Sequence, residues 1–71
     1  MNRFFIRVRQ VGPGSWLWTV ATPDVDGDPY TVPALRLGMC RRRIDAVNEA
    51  REWIDWLHAG PPPPEITVID Y

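Results

Sequence analysis

The chain has 71 residues with a formal net charge of −1, a size that predicts one marginally stable domain spanning residues 1–71. One cysteine excludes an internal disulfide, and one cysteine with one histidine cannot supply the four ligands of a structural zinc site. The near-neutral charge gives no general electrostatic case for nucleic acid, and 45% hydrophobic residues exclude a chain disordered by composition. We therefore expect a second subunit to supply additional stability, and we predict a homodimer.

The cellular location follows from features that the sequence lacks. The N-terminal residues contain no apolar core of a signal peptide, and no apolar run approaches the roughly 18 residues of a membrane span. The free thiol of Cys40 fits a reducing compartment. We expect a cytoplasmic protein that does not bind a membrane.

Two stretches near the N-terminus alternate between apolar and polar residues, as half-buried strands do. In residues 3–10 one face consists of Phe4, Ile6 and Val8. In residues 16–22 the corresponding face consists of Trp16, Trp18 and Val20. Turn-forming residues at 11–15 separate the two stretches, which predicts an antiparallel hairpin with a five-residue loop.

A second loop, rich in Asp, Gly and Pro, precedes a predicted third strand at residues 30–37, which we expect Gly38 to end. Pro33 cannot donate a ladder hydrogen bond, so this strand should lie at an edge or carry a bulge. The acidic residues at 24–28 lack the spacing of a calcium-binding EF-hand loop, because Leu35 occupies the position that requires Glu. We expect a polar turn there, and no metal site.

Residues 44–60 predict the one helix of the chain. Its apolar stripe, flanked by Ala46 and Trp53, consists of Ile44, Val47, Ala50, Ile54 and Leu57. Gly60 and Pro61 should end the helix, and Pro61–Pro64 should form a polyproline II spacer before a strand at residues 65–71. The predicted fold is α+β: a small antiparallel β-sheet with one helix packed on one face, in the order β-β-β-α-β.

The outer side of this helix is the first candidate binding surface. It carries Trp56 together with Asp45, Glu49 and Glu52. Exposed tryptophans are enriched at binding hot spots, so these four residues predict contact with a protein partner or within a dimer. The alternative is that Pro61–Pro64 cover the Trp56 indole within the chain.

Arginines form the second candidate surface, for an anion or nucleic acid. Arg7 and Arg9 lie on the polar face of the first strand, and Arg41, Arg42 and Arg43 lie where the helix begins. Cations at a helix N-terminus oppose its macrodipole, which suggests a compensating acidic partner or phosphate. The alternative is a solvated corner with salt bridges to the acidic loop.

Catalytic chemistry has little support in this sequence. Ser15 lies in a turn, and neither it nor His58 has a sequence-local partner that suggests a nucleophile–base pair. Neighbouring arginines could lower the pKa of Cys40, but a partly buried structural thiol is the favoured interpretation. We expect no enzyme activity, no catalytic residue and no cofactor.

One family resemblance rests on two segments: the loop Thr22-Pro23-Asp24-Val25 after a strand, and the helix residues from Asp45 to Ile54, which include an acid–Ala pair and a second Ala four residues later. Together with the prolines before the last strand, they resemble the HicB-type antitoxin domain. The resemblance implies a partial RNase-H-like fold without nuclease activity, which occludes a small RNase toxin and self-associates. A phage or mobile-element protein that binds or inhibits another host protein is an equal interpretation.

A second resemblance concerns nucleic acid. The run Gly14-Ser15-Trp16-Leu17-Trp18, followed by a third strand and a Trp-containing helix, resembles the arm-type DNA-binding domain of phage integrases. The resemblance implies DNA binding by a sheet face, which here would carry Arg7, Arg9, Leu17 and Thr19, with Arg36 nearby. We favour a non-catalytic protein-binding module, and keep nucleic-acid binding as the alternative.

Overall fold

The five regular elements follow the predicted order along the chain. The computed structural model describes residues 3–22 and 33–71. Its elements are β1 (Arg3–Gly12), β2 (Ser15–Ala21), β3 (Arg36–Cys40), α1 (Arg43–His58) and β4 (Glu65–Asp70). The predicted α+β class, with one helix packed on one face of a small sheet, is confirmed.

The four strands form one sheet in the order β3-β2-β1-β4. Both β1 and β3 pair with β2 in antiparallel fashion, whereas β4 pairs with β1 in parallel. The parallel pair arises because α1 returns the chain after β3, so β4 runs in the same direction as β3 and β1. The sheet is therefore mixed: the predicted antiparallel pairing is confirmed for β1, β2 and β3 but was wrong for β4.

The β1–β2 hairpin is tighter than predicted. Gly12 pairs with Ser15, so the connection contains only Pro13 and Gly14 and not five residues. Gly14 has φ of 62°, a conformation that glycine adopts without the steric cost of a Cβ atom. The pairing register shifts between Gln10 and Gly12, which is typical of a β-bulge, where one strand carries an extra residue.

The hydrophobic core lies between α1 and one face of the sheet. The strands contribute Phe4, Ile6, Val8, Trp18 and Val20. The helix contributes Ala46, Val47, Ala50 and Ile54. Half-buried side chains at the margin, among them Trp16 and Trp53, pack against this cluster. The predicted apolar strand faces are thus confirmed as the core side of the sheet.

Two residues of the predicted helical stripe lie outside the core. The side chains of Ile44 and Leu57 are 55% and 45% exposed. Ile44 lies in the first turn of α1 and Leu57 in the last, whereas the buried residues run from Ala46 to Ile54. The prediction was wrong for these two residues because only the middle turns of the helix cover the sheet.

The third strand begins and ends later than predicted. It runs from Arg36 to Cys40, while part of the predicted range, residues 30–32, lies outside the described residues. Gly38 does not end this strand but pairs with Trp18 in its middle. A Cβ atom at Gly38 would lie 2.6 Å from three atoms of the Trp18 indole, so glycine here makes room for a core side chain. Among residues 3–22 and 33–71 the strand lies at an edge of the sheet, as predicted.

The helix ends where the sequence indicates. Its last residue is His58, and Ala59 and Gly60 both have positive φ. The next segment contains a cis peptide bond between Pro61 and Pro62, and therefore departs from the regular polyproline II spacer that was predicted. His58 Nε2 lies 2.8 Å from the Pro62 carbonyl oxygen, which ties this segment to the end of the helix.

Candidate interaction surfaces

The acidic stripe, defined as Asp45, Glu49, Glu52 and Trp56, follows the outer side of α1. These positions are separated by four, three and four residues, a spacing that places them in one row along a helix. The Trp56 side chain is 76% exposed, the largest exposed fraction among the exposed large hydrophobic residues of the described chain. The prolines therefore do not cover the indole, and that alternative was wrong.

Glu49 belongs to the acidic stripe, but its carboxylate accepts hydrogen bonds from two strands of the sheet. The Trp18 indole donates from Nε1 to Glu49 Oε1 at 3.3 Å, and the Cys40 thiol donates to Glu49 Oε2 at 3.2 Å. One carboxylate thus joins α1 to both β2 and β3. Its loss would leave the indole N–H of a buried tryptophan without its acceptor, so Glu49 is first a structural residue.

Asp45 is also paired within the chain. Arg42 Nε donates to Asp45 Oδ2 at 2.8 Å, and Arg42 Nη2 donates to Oδ1 at 3.3 Å. Arg42 is the N-cap residue, and its side chain makes no capping hydrogen bond to the helix backbone. Among the described residues of the acidic stripe, Glu52 and Trp56 are the two whose side chains make no hydrogen bond or ion pair within the chain.

An ion pair between Arg43 and Asp70 connects the start of the helix to the end of β4. Its Nε and Nη2 atoms donate to the two carboxylate oxygens of Asp70, at 2.7 and 2.8 Å. The guanidinium holds the pKa of Asp70 below its ordinary value. The carboxylate partners of Arg42 and Arg43 are thus Asp45 and Asp70. The acidic loop, which is their partner in the alternative interpretation, lies outside the described residues.

The candidate arginines on the sheet differ in accessibility. The Arg7 side chain is only 5% exposed, and its Nε donates to Thr19 Oγ1 at 2.9 Å. The placement of Arg7 as a surface contact was wrong, because the guanidinium is buried on the sheet face opposite the helix. Arg9 is exposed and lies 5.8 Å from the ring centroid of Tyr71, in a cation–π contact. Arg36 and Arg41 are exposed at the two ends of β3.

The environment of Cys40 favours a structural thiol. Desolvation by burial, followed by the hydrogen bond to Glu49, raises the pKa of Cys40 to about 11. The thiol therefore remains protonated at neutral pH, and the alternative of a low-pKa reactive cysteine was wrong. His58 likewise contributes packing, since its ring meets Phe4 edge-on with 6.3 Å between ring centroids.

Sequence reasoning missed an apolar surface along β3. Leu35, Leu37 and Met39 are each more than half exposed. Leu37 pairs with Thr19 and Met39 with Leu17, which places both on the sheet face opposite the helix. The signal was present as an apolar residue at every second position from 35 to 39, but the strand was predicted to end at residue 37.

The described part of the chain contains neither a candidate metal site nor a candidate membrane-spanning helix. Within residues 3–22 and 33–71, no three His, Cys, Asp or Glu side chains are grouped so as to hold a metal ion. The acidic loop at 24–28 lies outside these ranges. The same part of the chain contains no helix long and apolar enough to cross a membrane.

Comparisons with known proteins leave the family open. No protein-family model, curated protein or solved structure gives a significant match to this chain. The resemblance to HicB-type antitoxins therefore stays a prediction that depends on the two quoted segments.

Proposed function

We propose that this protein is a non-catalytic protein-binding module whose helix α1 presents Trp56 to a basic partner. The exposure of Trp56 is the observation that carries the proposal. Leaving a large indole in water forgoes a considerable hydrophobic contribution, and tryptophan is among the residues most enriched at interface hot spots. Its row on the helix is otherwise acidic.

The charge of the acidic stripe indicates the chemistry of the partner. Glu52 lies one helical turn before Trp56 and is exposed. An arrangement of this kind suits a groove lined by Lys or Arg, in which the indole fills a pocket and the carboxylate directs approach. The carboxylates of Asp45 and Glu49 would add to the local negative potential while they keep their contacts within the chain.

The biological setting is a further part of this proposal. On the resemblance to HicB-type antitoxins, the partner would be a small RNase toxin whose active site this protein occludes. A host protein inhibited by a phage or mobile-element product fits the same surface. We also propose that the protein acts in the cytoplasm and forms a homodimer.

Nucleic-acid binding by the sheet is the less supported alternative. Arg7 is buried, and both Arg42 and Arg43 are engaged with carboxylates. Arg9, Arg36 and Arg41 remain as exposed cations, but Arg9 and Arg36 lie on opposite faces of the sheet, since Arg9 pairs with Leu17 and Arg36 with the core residue Val20. A phosphate-binding surface would show affinity for a generic DNA duplex that falls steeply as salt increases, which a filter-binding titration measures.

Affinity capture from the native host tests the proposal. The wild-type protein and two variants, Trp56→Ala and Leu57→Ala, would be immobilised at equal density and the retained proteins identified by mass spectrometry. A true partner should be retained by the wild type and by Leu57→Ala and lost with Trp56→Ala. The loss should exceed about 1 kcal/mol when the purified pair is titrated by calorimetry. Equal retention by all three proteins would contradict the role of Trp56.

A further inference from the structure

In the described part of the chain, no strand pairs with the outer edge of β3. Within the described residues, β3 lies at one edge of the sheet and pairs only with β2. Unpaired backbone groups along such an edge favour addition of another strand. The apolar side chains of Leu37 and Met39 next to this edge are 62% and 53% exposed.

The opposite edge of the sheet is better protected. Strand β4 begins with Glu65 and ends with Asp70, both exposed, and charged residues discourage edge pairing. Asp70 is moreover held by Arg43. Strand β3 carries one charged residue, Arg36, whereas β4 carries two. Association through an edge should therefore use β3.

We infer that a second copy of this chain pairs its own β3 with this edge in antiparallel orientation, with Gly38 on the twofold axis. The inference deepens the proposed self-association and does not depend on the partner role of Trp56. In this register Leu37 lies opposite the partner's Met39 and Arg36 lies opposite the partner's Cys40. An isologous contact of this kind joins two four-stranded sheets into one of eight strands.

Both faces of the proposed pair are complementary. On the face opposite the helix, the register places apolar Leu37 against apolar Met39 twice, which removes these side chains from water. On the helix face, Arg36 lies beside the partner's Cys40, whose thiol is within 3.2 Å of a Glu49 carboxylate oxygen. The exposed Arg36 guanidinium thus meets a carboxylate of opposite charge at each end of the contact.

Sedimentation equilibrium across a concentration series tests the contact. Leu37→Glu should raise the dimer dissociation constant at least about tenfold, because it places two charges within an apolar contact. Ile44→Glu is the matched control, since Ile44 is similarly exposed but lies on the helix. A wild-type chain that stays monomeric up to hundreds of micromolar, or equal effects of the two variants, overturns the inference. Either result leaves the Trp56 capture experiment valid, so the two proposals fail separately.

Charge reversal tests the register. Arg36→Glu should raise the dissociation constant roughly tenfold at low salt, because it opposes the partner's Glu49, and less at high salt. Arg41→Glu changes the net charge equally but lies opposite the partner's Leu35, and should have a smaller effect. Equal effects of the two reversals overturn the register.

Hydrogen exchange identifies the edge without any substitution. Amides of β3, residues 36–40, should gain protection as the protein concentration increases, whereas those of β4, residues 65–70, should not. Concentration-dependent protection confined to β4 overturns the assignment of the edge.

Discussion

The Trp18 indole occupies the space that a side chain at Gly38 would need. A Cβ atom at Gly38 would lie 2.6 Å from Cε2, Cζ2 and Nε1 of Trp18. The indole cannot move aside at low cost, because Trp18 is 3% exposed and its Nε1 donates to Glu49. The pair therefore determines where the edge strand lies relative to the core and to the helix.

Substitution of Gly38 should destabilise the protein. Gly38→Ala forces the indole or β3 to shift, and overpacking of this kind costs about 1–3 kcal/mol in free energy of unfolding. Gly12→Ala is the control, since a Cβ atom there would lie 4.0 Å from the Ser15 Cβ atom, an ordinary van der Waals distance. Urea unfolding followed by circular dichroism measures both variants. Equal midpoints would show that the indole is not fixed against β3.

The two isoleucines of the helix should respond very differently to truncation. Ile54 is fully buried, so Ile54→Ala should lower the free energy of unfolding by about 2–5 kcal/mol. Ile44 is 55% exposed, so the same substitution there should change it by less than about 1 kcal/mol. Thermal unfolding of the two variants compares identical chemistry on one helix. Similar losses would contradict the observed helix orientation.

The sequence predicts the core better than it predicts the limits of the elements. Alternation in β1 and β2 and the helical spacing of Val47, Ala50 and Ile54 are direct consequences of facing one core, so pattern reasoning finds them. Gly38 misleads because glycine usually marks a turn, while here it accommodates the ring of a distant residue. Such a contact depends on strand register, which no local pattern contains.

The same distinction applies to the candidate surfaces. The helical position of Trp56 predicts that its side chain faces away from the core, and its exposure in the structure excludes the alternative that Pro61–Pro64 cover it. The hydrogen bonds of Glu49 and Arg7 cannot be predicted from the sequence, because their partners are distant along the chain. Trp18 lies 31 residues from Glu49, and Thr19 lies 12 residues from Arg7. Charged residues that look equivalent in a sequence are thus divided by tertiary contacts into structural and available ones.

The stability of the protein should depend on Cys40 at alkaline pH. The pKa of the folded thiol is raised from 9.0 to about 11, so the folded state holds this proton more tightly than the unfolded chain. The resulting stabilisation is complete below pH 9 and is lost as the pH rises through about 11. Cys40→Ser keeps a donor for Glu49 but does not titrate in this range. Urea titrations between pH 8 and 11 should show a steeper decline for the wild type, and parallel profiles would contradict the raised pKa.

The emission of Trp56 should report its exposure directly. Because its side chain is 76% exposed while Trp18 is 3% exposed, Trp56→Phe should remove most of the fluorescence that acrylamide quenches. Trp53→Phe is the control, since that half-buried ring packs against the core. The Trp56→Phe variant should also keep its free energy of unfolding within about 0.5 kcal/mol of the wild type, as surface substitutions usually do. Unchanged quenching in this variant would mean that the indole is covered in solution. A self-association that covers it would then be visible as a dependence of quenching on protein concentration, and the helix face would no longer be free for a basic partner.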